Sequence, residues 1–429
     1  MWSRSRENAT ADAAPAVRST LDGNSTVLSP STLIVLSTVV INMTGVGLFW
    51  PILPMLVQEL SGGTVSETAA LYGALSVVYA LMQFIFAPMM GALSDRFGRR
   101  PVLLTALTGM GFDAILLALA PSIAWVFAGR ALGGIFGATF SVANAYMADI
   151  SKDEDRAAAF GMVGAAFGIG FILGPLLGGV LGEIDLRLPV FAAAGLSFLN
   201  VGFGWFFLRE SLPEKDRSVT PLFKTNFIAT FKWLATSPVI LPLAVALLIA
   251  NTMQRGLESI WVLFTGVQYG WGAREAGISL AIVGISYVVV QGFLVKRIVA
   301  RLGEAMTIAA GFSLSALMYL LLSVNESGLV GFIGTVPHVI GWGTAGPALQ
   351  ALASRQVAKN QQGYLQGALT SITGLAAIAG PIIATGTFAW FTSENAPFAF
   401  PGAYFLGGGM LLFVAAWIGS ASRRTVPAD

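Results

Sequence analysis

Long uncharged runs of apolar residues, separated by short polar turns, make up most of the sequence. An α-helix needs about 20 mainly apolar residues to cross the roughly 30 Å hydrocarbon core of a bilayer. Applied along the chain, this length predicts twelve membrane-spanning helices. Their approximate bounds are 31–57, 68–91, 101–120, 122–147, 157–182, 189–208, 238–266, 276–296, 305–324, 329–353, 363–388 and 401–421.

The positions of the basic residues test this assignment and orient it. With the amino terminus in the cytoplasm, 20 of the 24 Lys and Arg residues fall on the cytoplasmic side. Arg187 and Arg274 lie in outer connections, and Arg130 and Arg255 lie within spans. Because cytoplasmic loops are enriched in Lys and Arg, the asymmetry predicts twelve spans with both termini in the cytoplasm.

Composition narrows the class of protein. The chain is 55% hydrophobic and 11% charged, with a mean hydropathy of +0.75, whereas soluble domains are about 25% charged. It contains no cysteine and one histidine, which argues against a disulfide framework and a histidine-rich metal site. We find no nucleophile with a base and no phosphate-binding loop. We therefore expect no enzyme activity, no cofactor and no nucleic-acid partner.

The chain divides into two similar halves at its longest charged connection. Arg96-Phe97-Gly98 recurs as Arg301-Leu302-Gly303, 205 residues later, and Gly174-Pro175 recurs as Gly380-Pro381, 206 residues later. Two repeats at nearly one offset predict two pseudo-symmetric six-helix halves around a central site that is reached alternately from each side. The predicted parts are a disordered cytoplasmic tail at 1–30, halves at 31–208 and 238–421, a cytoplasmic linker at 209–237 and a second tail at 422–429.

The connection between the second and third spans, residues Gly91 to Pro101, carries four charges within six residues. We predict a tight loop at the cytoplasmic membrane surface, because these charges cannot lie in hydrocarbon. One interpretation is a generic basic loop that only sets topology. With the preceding runs Tyr79 to Gln83 and Ala87-Pro88, however, the stretch resembles the loop signature of the major facilitator superfamily, and more narrowly that of the tetracycline/proton antiporter family.

This resemblance implies an all-α membrane protein with the major facilitator fold. It implies that the loop takes part in the conformational switch through Gly91, Asp95, Arg96, Gly98 and Arg99. It also implies that Asp95 and Arg99 contact the cytoplasmic start of the eleventh predicted span, near Gly363.

The fifth predicted span is rich in glycine. Gly164 and Gly168 are four residues apart, as are Gly170, Gly174 and Gly178, so each set forms a flat helix face on which another backbone can pack. Ordinary helix packing explains this pattern. The stretch also resembles the fifth-helix motif of antiporters in the superfamily, which favours export over uptake and adds Gly174 and Pro175 to the conformational switch.

Four charged residues lie inside predicted spans, where each costs about 2.5–3.5 kcal/mol on insertion scales. Asp113 and Arg130 are equally far from the turn at 121–122, so they lie at similar depths on neighbouring helices. Arg255 and Glu258 are three residues apart and share one helix face. The four residues form either two structural ion pairs near the outer rim or a cavity lining that binds substrate or a proton.

The family comparison also identifies departures. The tetracycline carriers are similar in having acidic residues where this chain has Asn42 and Ser315, and a histidine where it has Tyr287. Asp113 is retained. Metal-chelated tetracycline is a cation, so the missing acids weaken the case for tetracycline as the substrate. Because Asn42 and Ser315 cannot bind and release a proton, the proton carrier is expected at another acid, and Glu258 is the candidate. His338 lies on the tenth predicted span, and a lone histidine there more often has a structural role than a functional one.

The site residues implied by these arguments form two groups. Proton coupling is expected at Asp113, Glu258 and Arg130, the last because the stretch 127–139 resembles a fourth helix whose arginine faces the cavity. Substrate binding is expected at Asn42, Gln83, Arg130, Arg255, Glu258 and Tyr287.

The resulting expectation is a monomeric secondary transporter of a bacterial inner membrane. Its partners would be a small-molecule substrate, protons and the lipid bilayer, and its activity proton-driven export of a hydrophobic or amphipathic compound. A proton-coupled symporter for a small metabolite is an alternative. A non-transporting receptor or scaffold is another, although such a protein has no need of costly intramembrane charges.

Overall fold

The computed structural model describes residues 29–137, 139–152, 155–217, 234, 237–238, 240–358 and 361–421. The predicted tail at 422–429, nearly all of the tail at 1–30 and much of the linker at 209–237 lie outside these residues. The described residues form helices and no strand. The α-helices are α1 Pro30–Phe49, α2 Leu53–Ser61, α3 Val65–Phe97, α4 Arg99–Ala118, α5 Ile123–Phe136, α6 Thr139–Ile150, α7 Arg156–Ile184, α8 Leu188–Phe207, α9 Ile240–Tyr269, α10 Ala273–Val289, α11 Val295–Leu302, α12 Glu304–Val324, α13 Gly328–Arg355, α14 Gln362–Phe391 and α15 Ala403–Ala421.

These helices reproduce the twelve predicted spans. Three spans are interrupted: α1 and α2 form the first, α5 and α6 the fourth, and α10 and α11, joined by a π-helical turn at Val290–Leu294, the eighth. Among the described helices, eleven segments are long and apolar enough to cross a membrane. The remaining span, α13, is 28 residues long but less apolar, since it contains several glycines, His338 and two prolines.

The predicted loop at Gly91 to Pro101 is wrong in one respect, because most of it is helical. Helix α3 continues to Phe97 and α4 begins at Arg99, so Gly98 alone joins them, with a φ of +103° that favours glycine. The polar residues at the end of α3 therefore extend the helix beyond its apolar part. Gly303 joins α11 to α12 in the same way, with a φ of +71°.

Equivalent helices pack together in the two halves. In the first half α1 packs on α7 and α4 on α8; in the second half α9 packs on α14 and α12 on α15. The halves contact each other mainly through α7 with α10 and α3 with α14. The described helices thus form the two pseudo-symmetric six-helix halves that the repeats predict.

Glycine–proline pairs allow the closest contacts inside each half. A side chain on Gly174 would place its Cβ 2.6 Å from Gly47 Cα, on α1. The equivalent Cβ on Gly380 would lie 2.8 Å from the Gly256 backbone nitrogen, on α9. These helices therefore pack backbone against backbone, as small residues allow in membranes.

The two predicted glycine faces of the fifth span differ. Gly170, Gly174 and Gly178 all lie against α1, so this face is a packing surface. Of the other pair, Gly168 lies against Val288 of α10, whereas Gly164 has open space where a side chain would be.

We expect Gly174→Leu to lower the apparent melting temperature in detergent by several degrees and to reduce transport. The added side chain would overlap Gly47 and the Thr44 carbonyl oxygen, and overpacking costs about 1–3 kcal/mol. Thermal unfolding of the purified protein measures the effect. Gly195→Leu is the control, because no atom lies within 4 Å of a Cβ there. Equal melting temperatures for the two variants would contradict the packing.

Candidate functional site

A cavity of about 800 Å³ lies between the two halves. Aromatic and aliphatic side chains form most of its wall, with a few amides and charges among them. The aromatic and polar side chains that line it include Phe49, Trp50, Tyr72, Tyr79, Phe84, Gln83, Gln350, Gln366, Arg130, Arg255 and Glu258.

The cavity opens toward one side of the helix bundle. We call this the basic side; it is the side that carries Arg99, Arg301 and Arg355, at helix ends. The lining reaches Gly91 near the end of α3 and Gln366 near the start of α14, which are both close to the basic side.

On the opposite side the halves are in contact. A side chain on Gly73 of α3 would overlap Thr385 of α14, and the Ser66 hydroxyl donates to the Ala389 carbonyl oxygen at 2.7 Å. Between α7 and α10, a Cβ on Gly277 would lie 3.0 Å from Gly179 Cα. This conformation therefore gives access to the cavity from the basic side.

Asp113 and Arg130 form an ion pair deep in the first half. The Asp113 carboxylate on α4 is fully buried and accepts from the Arg130 guanidinium on α5. The guanidinium lies over two aromatic rings, 4.8 Å from the Phe49 centroid and 5.2 Å from the Tyr79 centroid. Arg130 thus separates the buried carboxylate from the cavity, and cation–π contacts stabilise its charge.

Two glycines of α5 provide the space for the Asp113 carboxylate. A Cβ on Gly129 would lie 3.1 Å from Asp113 Oδ1, and one on Gly133 would overlap Oδ2. The absence of side chains at Gly129 and Gly133 therefore leaves the space in which the ion pair forms.

Arg255 and Glu258 form the second ion pair, on one face of α9. Arg255 Nη1 donates to Glu258 Oε2 at 2.8 Å, and Gln254 Nε2 donates to Glu258 Oε1 at 3.2 Å. The Arg255 and Glu258 side chains remain 43% and 28% exposed, within the cavity. The two pairs therefore differ in access: the Asp113 carboxylate is fully buried, whereas Arg255 and Glu258 are both open to the cavity.

Polar contacts connect the joint between α3 and α4 to two other segments on the basic side. Arg99 is buried and binds Asp95, Ser94 Oγ at 2.8 Å and Asp149 Oδ2 at 2.9 Å. Glu210 accepts from the backbone N–H of Arg99 at 2.8 Å, where the amino terminus of α4 favours an anion. Asp149 at the end of α6 and Glu210 after α8 are thereby joined to the predicted switch.

The resemblance predicts a contact between this cluster and the eleventh span, which is α14. The described residues show no such contact. The Asp95 carboxylate pairs with Arg99, and a Cβ on Gly363 would meet no atom within 4 Å. Because the cavity is open on this side, the ends of the two halves lie apart here. Contact with α14 stays a prediction for the conformation that is closed on the basic side.

The structure brings most of the predicted substrate-binding residues together. Gln83, Arg130, Arg255 and Glu258 all line the cavity, and Gln83 Nε2 donates to the Gly137 carbonyl oxygen at 3.3 Å. Three of the four intramembrane charges thus line a central cavity, and each of them is also part of an ion pair.

Asn42 and Tyr287 are not among the described residues that line the cavity, so their role in substrate binding stays a prediction. Asn42 is buried on α1, two turns toward the basic side from Phe49. Tyr287 packs against Trp342, with ring centroids 6.2 Å apart, between α10 and α13. Asn42 is covered by neighbouring helices, whereas Tyr287 is 40% exposed and lies within electrostatic range of Arg255 and Glu258.

Some lining residues were not anticipated. The aromatic residues Phe49 and Tyr79 hold Arg130, and the amides of Gln350 and Gln366 line the opening. Isolated amides within apolar runs are the sequence signal for such positions, because an uncompensated polar group is costly in hydrocarbon.

Comparisons with known proteins agree with this geometry. A family model of the Major Facilitator Superfamily matches residues 35–381. The class C tetracycline resistance protein of Escherichia coli is 40% identical over 357 residues, which cover 83% of this chain and 89% of that protein. The class B protein of the same species is 36% identical over 361 residues, covering 83% and 88% of the two chains.

A solved structure shares the fold. It is a bacterial homolog of the human lysosomal transporter Spinster, in an inward-facing, unoccupied conformation. The TM-score is 0.73 at 17% identity, and the match covers 93% of this chain and 98% of the other.

We expect Gly133→Ala to destabilise the protein, because the methyl group would displace the Asp113 carboxylate from Arg130. Removing one partner of a buried ion pair costs about 3–5 kcal/mol, and part of that cost should appear as a lower melting temperature. Gly195→Ala, with open space around its Cβ, is the control.

A double variant tests the cause. Asp113→Ala removes the carboxylate, so adding Gly133→Ala to it should cause little further loss. Additive losses in melting temperature would show that Gly133 acts independently of Asp113.

Proposed function

Since the chain belongs to the major facilitator superfamily, within the family of the tetracycline resistance proteins, we propose that it exports a hydrophobic or amphipathic compound in exchange for protons. The observation that carries the proposal is the Arg255–Glu258 pair, which is ionisable, lies within a membrane-spanning helix and is open to the central cavity. Such a group can bind a proton in one conformation and release it in the other.

The chain is a multi-pass membrane protein, and we assign its basic side to the cytoplasm. The excess of Lys and Arg on that side supports the assignment. Both termini then lie in the cytoplasm of a bacterial cell, and the described conformation is open to the inside. In this state the cavity would take up substrate from the cytoplasm or from the inner leaflet of the membrane.

Glu258 is the proposed proton carrier. A proton bound in the outward-open state would neutralise its carboxylate and free Arg255 from the pair. Its release in the inward-open state would restore the contacts with Arg255 and Gln254, at 2.8 and 3.2 Å. Because either event changes the preferred conformation, downhill proton movement drives substrate in the opposite direction.

Asp113 and Arg130 are proposed to keep their pair throughout the cycle. The carboxylate is fully buried, and the arginine is held by two rings. Arg130 also lines the cavity, so it can bind substrate while remaining paired. This division gives the first half a fixed charge pair and the second half a pair that opens.

The lining of the cavity supports a substrate with a large apolar surface and a few polar groups. Aromatic rings provide most of the contact area, and Gln83, Gln350 and Gln366 provide donors and acceptors. Glu258 is the one acid among the described residues that line the cavity. A strongly cationic compound, such as a metal-chelated tetracycline, would therefore depend on that carboxylate.

A flux measurement tests this function. The purified protein is reconstituted into liposomes, and uptake of tetracycline and of neutral amphipathic drugs is followed after a pH gradient is imposed. Substrate movement opposite to protons supports export, and movement with protons would identify a symporter. No flux of any compound that the protein binds would favour a receptor. Because the cavity is complete within one chain, we propose that the monomer suffices.

A susceptibility panel identifies the substrate. An efflux-deficient bacterial host, with and without expression, should gain resistance to the exported compounds. Tetracycline is included because the class C and class B relatives described above carry its name.

We expect Glu258→Gln to abolish pH-driven flux while it keeps substrate binding and substrate counterflow. The amide keeps the size and a hydrogen-bonding group but cannot exchange a proton. Asp113→Asn should lower both kinds of transport, because it leaves Arg130 without its charged partner. Proton-driven flux and counterflow are measured side by side in the same liposomes. Full pH-driven flux in Glu258→Gln would exclude Glu258 as the carrier and make Asp113 the leading candidate.

We expect Asp95→Asn to slow transport severalfold while it leaves expression and substrate binding largely unchanged. The carboxylate holds Arg99, which also binds Asp149, so its loss should change the balance between conformations rather than the cavity. Glu214→Gln is the control, since that side chain is 89% exposed. An Asp95→Asn protein with the transport rate of the wild type would contradict the switch role.

A further inference from the structure

His338 is the single histidine of the chain and is buried on α13. Its Nε2 lies 3.0 Å from Gln254 Oε1 on α9, and its Nδ1 is buried without a hydrogen-bond partner among the described residues. A buried imidazole that uses one nitrogen is fixed by that single contact. Gln254, the residue in that contact, also contacts Glu258.

Gln254 connects His338 to the ion pair. Its Nε2 donates to Glu258 Oε1 at 3.2 Å, on the other side of the amide from His338. An ionised carboxylate only accepts hydrogen bonds, so the NH₂ group of Gln254 must face Glu258. Gln254 Oε1 then faces His338 and requires a donor, and the neutral imidazole must carry its proton on Nε2.

The groups around His338 leave Gln254 as its side-chain partner. From α12, the Tyr319 ring packs 5.4 Å from the imidazole centroid, and Ser315 Oγ donates to the His338 backbone oxygen. The hydroxyls of Tyr319 and of Tyr404 on α15 both donate to the Met253 carbonyl oxygen, at 2.9 and 2.7 Å. These titratable groups are thus committed to other partners. The charged groups in reach are those of the Arg255–Glu258 pair, through Gln254.

We propose that His338 is a positioning residue for proton coupling, which fixes the Gln254 amide so that its NH₂ group stabilises the ionised Glu258. The inference rests on the proposed role of Glu258 as proton carrier. Arg255 supplies the charge of the pair, whereas His338 determines which end of a neighbouring amide the carboxylate meets.

Loss of the Nε2–H donor has a defined consequence. Without it the Gln254 amide is free to rotate and to present Oε1 to Glu258. That oxygen accepts from a protonated carboxyl group and repels an ionised one. Protonation of Glu258 is then favoured, and the pH at which transport is half-maximal moves to a higher value.

Substitutions at His338 test this effect through the pH profile of flux. His338→Gln keeps an N–H donor near the position of Nε2 and should retain the profile of the wild type. His338→Asn is too short to reach Gln254, and His338→Leu has no donor. Both should shift the profile by about one pH unit, or about tenfold in proton concentration, toward alkaline pH. Ser315→Ala is the control, because the Ser315 hydroxyl bonds to the backbone oxygen of His338 and not to its imidazole.

The result that would overturn the proposal is equally defined. Profiles of Leu and Asn variants that match the wild type, while Glu258→Gln loses pH-driven flux, would leave the proposed function intact and exclude the role of His338. If the wild type itself shows no pH-driven flux, the proposed function fails instead.

Nitrogen NMR tests the hydrogen-bond chain without any transport assay. Protein labelled with ¹⁵N-histidine and purified without a histidine tag contains one imidazole, so its ring signals are unambiguous. We expect the neutral tautomer with the proton on Nε2, and mixed tautomers in Gln254→Leu. A proton on Nδ1 in the wild type would overturn the proposal. An imidazolium that titrates with transport would also overturn it, because His338 would then be a proton carrier itself.

Discussion

Hydrocarbon offers no water to a charge, so each ion inside this helix bundle must find its partner within the protein. Two pairs meet that requirement in different ways. Asp113 and Arg130 join neighbouring helices, and the aromatic rings and glycines around them leave the Asp113 carboxylate fully buried. Arg255 and Glu258 share one helix and face the cavity. The same constraint thus produces a fixed pair in one half and an accessible pair in the other.

Glycine determines how closely the helices around these pairs approach. Gly174 packs against Gly47 in the first half, and Gly380 packs against Gly256 in the second. A proline follows Gly174 and another follows Gly380. Gly256 belongs to the same turn of α9 as Arg255 and Glu258. The contact that joins α14 to α9 therefore also positions the open ion pair, and the repeat in the sequence becomes a repeat in packing.

Much of the fold could be predicted from the sequence, because hydropathy and span length determine which segments cross a bilayer. Spacing along one helix also predicted the Arg255–Glu258 pair. The joint at Gly98 was mispredicted as a longer loop, since polar residues can extend a helix beyond the membrane. The Gln254–His338 contact had no sequence signal, because its residues are 84 positions apart and neither is charged. Access to a side chain depends on the packing of other helices, so the burial of Asn42 could not be predicted from its place in the sequence.

The neutrality of the two ion pairs has an electrical consequence. Moving one elementary charge through a membrane potential of 100 mV involves about 2.3 kcal/mol. With both pairs ionised, their charges sum to zero, so voltage does little work when the empty protein changes conformation. In the proposed mechanism, a proton on Glu258 adds one positive charge to this sum. Voltage then acts on the protonated form, and a negative cell interior favours its movement inward, whatever the pH difference.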